Sequence, residues 1–240
     1  MTDFLPLDLL SSGARELGVE LCDAALRQLD EFARLLVDRN RSLNLTRITD
    51  PREIVINHYL DSLTCLAAAS FEPGARVIDV GTGAGFPGIP IAVARPDLRI
   101  ILMDSTRKKL AYVQEAAGQI GLTNVELLNA RAEGAGHDPS HRESYDIVLT
   151  RALSEMRVVV ELCLPLARVG GLLIAQKGVG IEEEVNAALP VIGQLGGRLD
   201  GVERIRLPHT DMPRALAVVS KVKPTPPGFP RPYARIVRRS

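Results

Sequence analysis

Val77-Ile78-Asp79-Val80-Gly81-Thr82-Gly83-Ala84-Gly85-Phe86-Pro87-Gly88-Ile89-Pro90 runs from an apolar stretch into a glycine-rich turn, and that join decides the fold. The apolar half, with Arg76 before it, reads as a short buried strand over residues 76–80 ending at the acidic Asp79 and Val80. Glycines follow at 81, 83 and 85, and a residue without a Cβ lets the chain turn tightly and approach a ligand closely. In an open parallel sheet, ligands sit beyond the carboxyl ends of the strands, where the strand order reverses. A first strand that ends in such a turn therefore predicts a binding crevice.

Outward from this join the pattern repeats. Short apolar runs at 99–104, 125–129, 146–151 and 172–176 alternate with amphipathic stretches at about 88–95, 106–121, 155–168 and 181–195. Strand and helix in alternation predict a parallel sheet with helices on both faces. The alternation then stops. Residues 199–207 and 214–222 are strand-like with only the loop 208–213 between them, so they must pair antiparallel. The expectation is an α/β, Rossmann-like, mostly parallel seven-stranded sheet with an antiparallel last strand, the layout of class I methyltransferases. Residues 1–72 read as an N-terminal helical extension. Leu26, Leu29, Phe32, Ala33 and Leu36 recur at helical spacing, and a second helix is expected from Pro51 to about Ala69. Residues 73–223 form the core. The Pro- and Arg-rich tail 224–240 is expected to lie over the surface.

The turn alone fits a dinucleotide as well as S-adenosylmethionine. Its Gly-x-Gly-x-Gly spacing differs from the Gly-x-Gly-x-x-Gly that seats a pyrophosphate. Asp79 would repel a diphosphate but attract a sulfonium and an amino group. With the antiparallel finish, these features favour S-adenosylmethionine, held by Asp79, Gly81, Gly83 and Gly85. Asp104, ending the second strand, fits a contact to ribose hydroxyls or a cap for the next helix. Ala132-Glu133 follow the third strand, where Glu133 suits adenine recognition or an ordinary helix start. Arg151 ends the fourth strand and Lys177 follows the fifth, each a crevice residue or a solvated one. His58 and Asp61 share a helix face, as a polar contact between helical extension and sheet or as catalytic groups.

Composition removes other classes. The chain has 240 residues, 46% hydrophobic and 24% charged, which suits one large domain. Aromatics make up 4% with no Trp, against a surface built on base stacking. Cys22, Cys65 and Cys163 form no CxxC pair, so no metal is expected, and Cys163 reads as a core residue. Asp3 and Asp8 replace the basic start of a signal peptide, and no apolar run is long enough to span a membrane, so a cytoplasmic location is expected. The zero net charge hides an asymmetry. Arg198, Arg204, Arg206, Arg214, Lys221, Lys223, Arg231, Arg235, Arg238 and Arg239 gather at the C-terminal end, which suggests an anionic partner such as RNA. An oxidoreductase, a small-molecule or protein methyltransferase and a non-catalytic RNA-binding module remain as alternatives.

The quoted turn, with His58-Tyr59-Leu60-Asp61-Ser62-Leu63, Leu102-Met103-Asp104-Ser105, Arg107-Lys108-Lys109, Asn129-Ala130-Arg131-Ala132-Glu133 and Tyr145-Asp146 through Arg151-Ala152, resembles the bacterial ribosomal RNA small subunit methyltransferase G family, also called glucose-inhibited division protein B. The likeness runs in order from about residue 20 to 225. It implies methylation of N7 of guanine 527 of 16S rRNA, with the small ribosomal subunit as partner, and a monomer is expected. It also implies cofactor contacts at Gly81, Phe86, Ala132-Glu133 and Arg151, and basic residues facing RNA or cofactor at Arg131, Arg151, Lys177 and Arg214. Phe229-Pro230-Arg231-Pro232-Tyr233 departs from the family's proline-arginine ending. The chemistry agrees with what is absent. Guanine N7 has a free lone pair and needs no deprotonation. The Pro-Cys setting for pyrimidine C5 attack is missing, and Thr150-Arg151-Ala152-Leu153 stands where exocyclic-amine methylation would place an Asn/Asp-Pro-Pro-Tyr/Phe motif. Arg151 is then expected to act by positioning, with no general base.

Overall fold

The structure, a computed structural model, describes residues 2–238. Of the basic residues named above, Arg239 lies outside the described residues.

Seven strands form one sheet in the order β3-β2-β1-β4-β5-β7-β6. They are β1 (Arg76–Val80), β2 (Arg99–Asp104), β3 (Val125–Asn129), β4 (Tyr145–Arg151), β5 (Ala167–Lys177), β6 (Gly197–Arg206) and β7 (Pro213–Lys221). β1 to β5 pair parallel. β7 runs antiparallel to both β5 and β6, so it alone opposes the others. The alternating pattern had this class I methyltransferase fold right. β5 begins earlier than the apolar run suggested, because the β4–β5 register shifts between Tyr145 and Ile147 and lets Ala167 pair with Tyr145.

The parity of β1 sets up both cores. Ile78 and Val80 face one side with Val148, Val159 and Ile192. Val77 faces the other with Leu29, Phe32, Tyr59 and Ile89. The second side is covered by α1 (Leu7–Glu16), α2 (Asp23–Leu43), α3 (Pro51–Ile54), α4 (Asp61–Ala68), α5 (Gly88–Ala94) and α6 (Arg107–Gln119). The first is covered by α7 (Ala132–Ala135), α8 (Met156–Cys163) and α9 (Glu182–Gln194). α2 buries Leu29, Phe32, Ala33 and Leu36 as their spacing predicts, and ends on Asn44 at φ 50, a left-handed stop that asparagine tolerates. α3 starts at Pro51 with Asp50 accepting the Glu53 N–H at 3.0 Å.

Two expectations change here. The helix read as continuous from 51 to 69 contains a π-helical stretch, Val55–Leu60. The wider turn puts Val55, Ile56, His58, Tyr59 and Leu60 all inside, more than one α-helical face could bury. The tail also does not simply lie over the surface. α8 carries Glu161, fully buried, and a buried carboxylate requires a partner. Arg231 of the tail supplies it, and the short α10 (Tyr233–Ile236) then sinks Ile236 into the core.

Candidate active site

The strand order reverses between β1 and β4, and a crevice of about 320 Å³ opens there at the strands' carboxyl ends. The Gly81 and Thr82 N–H groups both donate to Met103 O at 2.9 Å, which folds the glycine turn against the end of β2. Gly81 and Gly83 sit at φ 78° and 59°, the left-handed region that disfavours side chains. A Cβ on Gly81 would also lie 3.0 Å from Leu153 Cδ1. Asp104 pins the turn, accepting the Gly83 N–H at 3.0 Å through Oδ2 and the Thr106 N–H at 2.8 Å through Oδ1. Each oxygen keeps a free lone pair. Ala132 and Glu133 line the opposite end, where Arg131 Nε meets Glu133 Oε1 at 2.8 Å.

Asp79, Gly85 and Phe86 stand behind the turn rather than in the crevice. Asp79 shares the parity of Val77, so its carboxylate points to the α5 side, where Oδ2 accepts the Gly88 N–H at 2.9 Å. Its Oδ1 is buried without a partner. Burial raises this carboxyl to about 6, against the lowering pull of Thr82, the Gly88 N–H and the Arg151 charge. Gly85 permits close packing, since a Cβ there would lie 2.7 Å from Ile89 Cγ1. Phe86 is a platform. His58 stacks on it with centroids 4.4 Å apart, and the Arg151 guanidinium sits 5.2 Å from its ring centre.

Arg151 and Ala152 line the crevice and also a second cavity of about 390 Å³ next to it. This second space gathers Asn57, His58 and Asp61 from the helices with Gln176, Lys177 and Arg214 from the sheet. Asp61 is its hub. Oδ2 takes Arg151 Nη1 at 3.0 Å and Oδ1 takes Arg214 Nε at 2.6 Å, while its backbone oxygen accepts Gln176 Nε2 at 2.6 Å. Arg151 also donates to Asn57 O at 3.3 Å and approaches His58 Nδ1 at 3.4 Å. A guanidinium only donates, so Nδ1 accepts and Nε2 carries the proton that goes to Thr46 Oγ1 at 2.8 Å. Burial first, then the Arg151 charge, push His58 down to about 3, which keeps the imidazole neutral. Ala152 follows at φ 52, a strained conformation for a residue with a Cβ, between the two spaces. Lys177 pairs with Glu184.

The residues singled out from sequence therefore divide. Gly81, Gly83, Asp104, Arg131, Ala132, Glu133 and Arg151 meet in the crevice, and Lys177 and Arg214 meet Arg151 in the adjoining cavity. His58 and Asp61 make the contact between helices and sheet. The basic C-terminal end is largely spoken for, with ion pairs Arg198–Asp200, Arg204–Glu182, Arg206–Asp211, Arg214–Asp61 and Arg231–Glu161. Sequence reasoning missed Asn57, Gln176 and Tyr233. The first two adjoin residues that were read, while nothing local marks Tyr233. Among the described residues no acidic, His or Cys cluster could hold a metal, and no helix is long and apolar enough to cross a membrane.

The fold is shared with solved structures, a methyltransferase among them. Precorrin-6y C5,15-methyltransferase from Geobacter metallireducens aligns at a TM-score of 0.52 with 15% identity, over 75% of this chain and 92% of that one. TrmN from Thermus thermophilus aligns at 0.52 with 20% identity, over 70% and 53%. Sequence relatives are nearer. Proteins named ribosomal RNA small subunit methyltransferase G are 46% identical over 224 residues in Pelotomaculum thermopropionicum (93% of this chain, 94% of that one). Another in Symbiobacterium thermophilum is 44% identical over 232 residues, 93% of each chain. The family model for rRNA small subunit methyltransferase G matches residues 25–200, which take in most of α2, all of α3 to α9, the glycine turn and every residue lining the two cavities except Tyr233 and Arg214. On the family model and on these identities over nearly the whole chain, the protein belongs to the rRNA small subunit methyltransferase G family.

Proposed function

We propose that this chain transfers a methyl group from S-adenosylmethionine to N7 of guanine 527 of 16S rRNA, within the small ribosomal subunit. The observation that carries this reading is the shared wall. Arg151-Ala152 borders both the glycine-lined crevice and the cationic cavity, so a donor in one would face an acceptor base in the other.

The residues present fit the cofactor. Gly81 and Gly83 offer a wall without side chains, and a Cβ at either would demand a strained backbone. The free lone pairs of Asp104 suit ribose hydroxyls, and Glu133 suits the adenine edge. Asp79, lying under the turn, adds negative potential to the site without contact. When bound, S-adenosylmethionine supplies an electrophilic methyl group on a sulfonium.

The chain's own part is orientation. Arg151, fixed by Asp61, Asn57 and Phe86, is the residue that would hold base and donor in line. In-line positioning of this kind supplies on the order of 7–11 kcal/mol of a barrier. No side chain needs to take a proton. His58, held near 3, is a poor base at neutral pH. Arg131, Lys177 and Arg214 would meet phosphates at the rim, with Lys177 and Arg214 sharing their charge between RNA and their internal carboxylates. The protein would act in the cytoplasm as a monomer.

The test is transfer from labelled S-adenosylmethionine to 30S subunits lacking the modification, with the methylated base mapped. A methyl group at any other atom, or none, would refute the assignment. Alanine at Arg131, Lys177 or Arg214 should lower the salt slope of RNA binding by roughly 0.7 per lost phosphate contact on single strands.

A further inference from the structure

Residues 224–238 do more than trail from β7. After β7 the backbone crosses the α7–α8 face as a strap, and the structure holds it at point after point. Glu143 Oε1 accepts the Thr225 N–H at 2.6 Å. Arg142 donates to Phe229 O at 2.6 Å and to Thr225 O at 2.8 Å. His137 Nε2 meets Pro230 O at 2.7 Å. Arg231 gives three hydrogen bonds to the buried Glu161, from its N–H at 2.9 Å, Nε at 2.8 Å and Nη2 at 2.7 Å. Arg157 Nη1 donates to Ile236 O at 2.9 Å, and Ile236 has no exposed surface.

Between these anchors residues 232–235 are exposed, and one of them, Tyr233, borders the crevice. Tyr233 is 39% exposed, and its ring lines the glycine-turn crevice. The Arg131 guanidinium lies 5.9 Å from the ring centre, and the same Arg131 is paired with Glu133. An aromatic ring is thus placed, by a backbone fixed on both sides of it, beside the end of the crevice formed by Arg131, Ala132 and Glu133. The opposite end is formed by the glycine turn and Arg151. Asp104 stands between the two ends as the ribose-sized acceptor, which leaves the Tyr233 end for a purine.

We propose that the C-terminal strap is part of the cofactor site, and that Tyr233 forms a side wall for the adenine half of the bound nucleoside. The inference rests on the S-adenosylmethionine reading above. A π face beside a purine stabilises it whatever its substituents, and the Arg131 cation fixes the ring from outside. Nothing in the strap's anchoring requires an aromatic residue at 233, because Arg231 and Ile236 do the holding. Tyr233 is therefore a binding residue for the nucleoside, and its removal should leave the fold in place.

The experiment titrates the full chain with S-adenosylhomocysteine and, separately, with adenosine, by calorimetry, for the parent, Tyr233→Ala and Tyr233→Phe. Tyr233→Ala should weaken both ligands by a similar factor, about five- to tenfold for a ring exposed on one side. Tyr233→Phe should stay within about twofold, since the ring and not the hydroxyl does the work. In steady state, Tyr233→Ala should raise KM for the methyl donor and leave kcat at saturation and KM for 30S subunits unchanged. Equal affinities for parent and Tyr233→Ala would overturn the proposal and leave the cofactor assignment standing. Failure of the parent itself to bind S-adenosylhomocysteine would overturn the cofactor assignment instead. If Tyr233→Ala proves unstable, Tyr233→Leu keeps the bulk without the π face and is subject to the same criterion.

Discussion

Replacing His58 by Gln should change how the stability of this protein responds to acid. The imidazole ordinarily titrates at 6.5 and here is pushed down to about 3, by burial first and the Arg151 charge second. Below pH 6.5 the unfolded chain binds a proton that the folded chain refuses. The stabilisation tied to a neutral His58 is thus complete above 6.5 and lost as pH falls toward 3. Between pH 7.5 and pH 5 the loss is about 2 kcal/mol, one and a half pH units below the unfolded value at roughly 1.4 kcal/mol each. For a chain of this length that is a Tm difference of about 4–8 °C. Asp79 works the opposite way, because its raised value of about 6 lets the folded state gain a proton before the unfolded state does. The assay is therefore a difference. Urea unfolding of the parent and of His58→Gln at both pH values cancels Asp79 and every other group shared by the two proteins. Glutamine cannot titrate but can still meet Thr46 and Arg151. The parent should lose about 2 kcal/mol more than the variant on going from pH 7.5 to 5. Stability curves that stay parallel would show that His58 is solvated and titrates normally. The same neutral imidazole implies a methyl-transfer rate that is nearly flat from about pH 6.5 to 8.5.

Gly83→Val should abolish S-adenosylhomocysteine binding in calorimetry while far-UV circular dichroism stays native. A branched side chain at φ 59° is strained and faces the crevice, and normal affinity in the folded variant would refute the cofactor site. Asp61→Asn should lower Tm by about 4–12 °C, since it leaves two partly buried guanidinium groups without their shared carboxylate at a cost of roughly 2–3 kcal/mol, between the exposed and fully buried cases. A Tm within a degree of the parent would mean that the Asp61 hub contributes no stability.

What was legible in the sequence follows from how local its cause is. The sheet could be read because each strand is a short apolar run between polar amphipathic stretches, and the glycine turn because its spacing excludes most side chains. Asp79 was misplaced for a reason of parity. A strand end shows an acidic residue, but which face it occupies depends on which helix covers which side. The strap was illegible because a Pro- and Arg-rich segment looks the same whether solvated or anchored. The clue lay seventy residues away, in Glu161 among the apolar residues of α8, where an unpaired carboxylate could not be tolerated. The internal ion pairs of the C-terminal arginines were illegible for the same reason, since their partners Glu182, Asp211 and Asp61 lie elsewhere in the chain or across a loop. The π-helical stretch left no trace, because one extra residue in a turn hardly disturbs hydrophobic spacing.

The position of β7 bears on how the molecule is made. Of the seven strands it is the last to be synthesised, yet it lies between β5 and β6, with Ala215, Leu216, Ala217 and Val219 buried. A nascent chain that has emerged only as far as β6 has no antiparallel partner to offer the inner edge of β5, and Leu173 and Ile174 then border a row of unpaired amides. The ribosome must deliver β7, after all six other strands, before the sheet can close, and the strap that borders the crevice comes later still. Premature termination between β5 and β7 should thus yield a sticky, inactive fragment rather than a weakened enzyme.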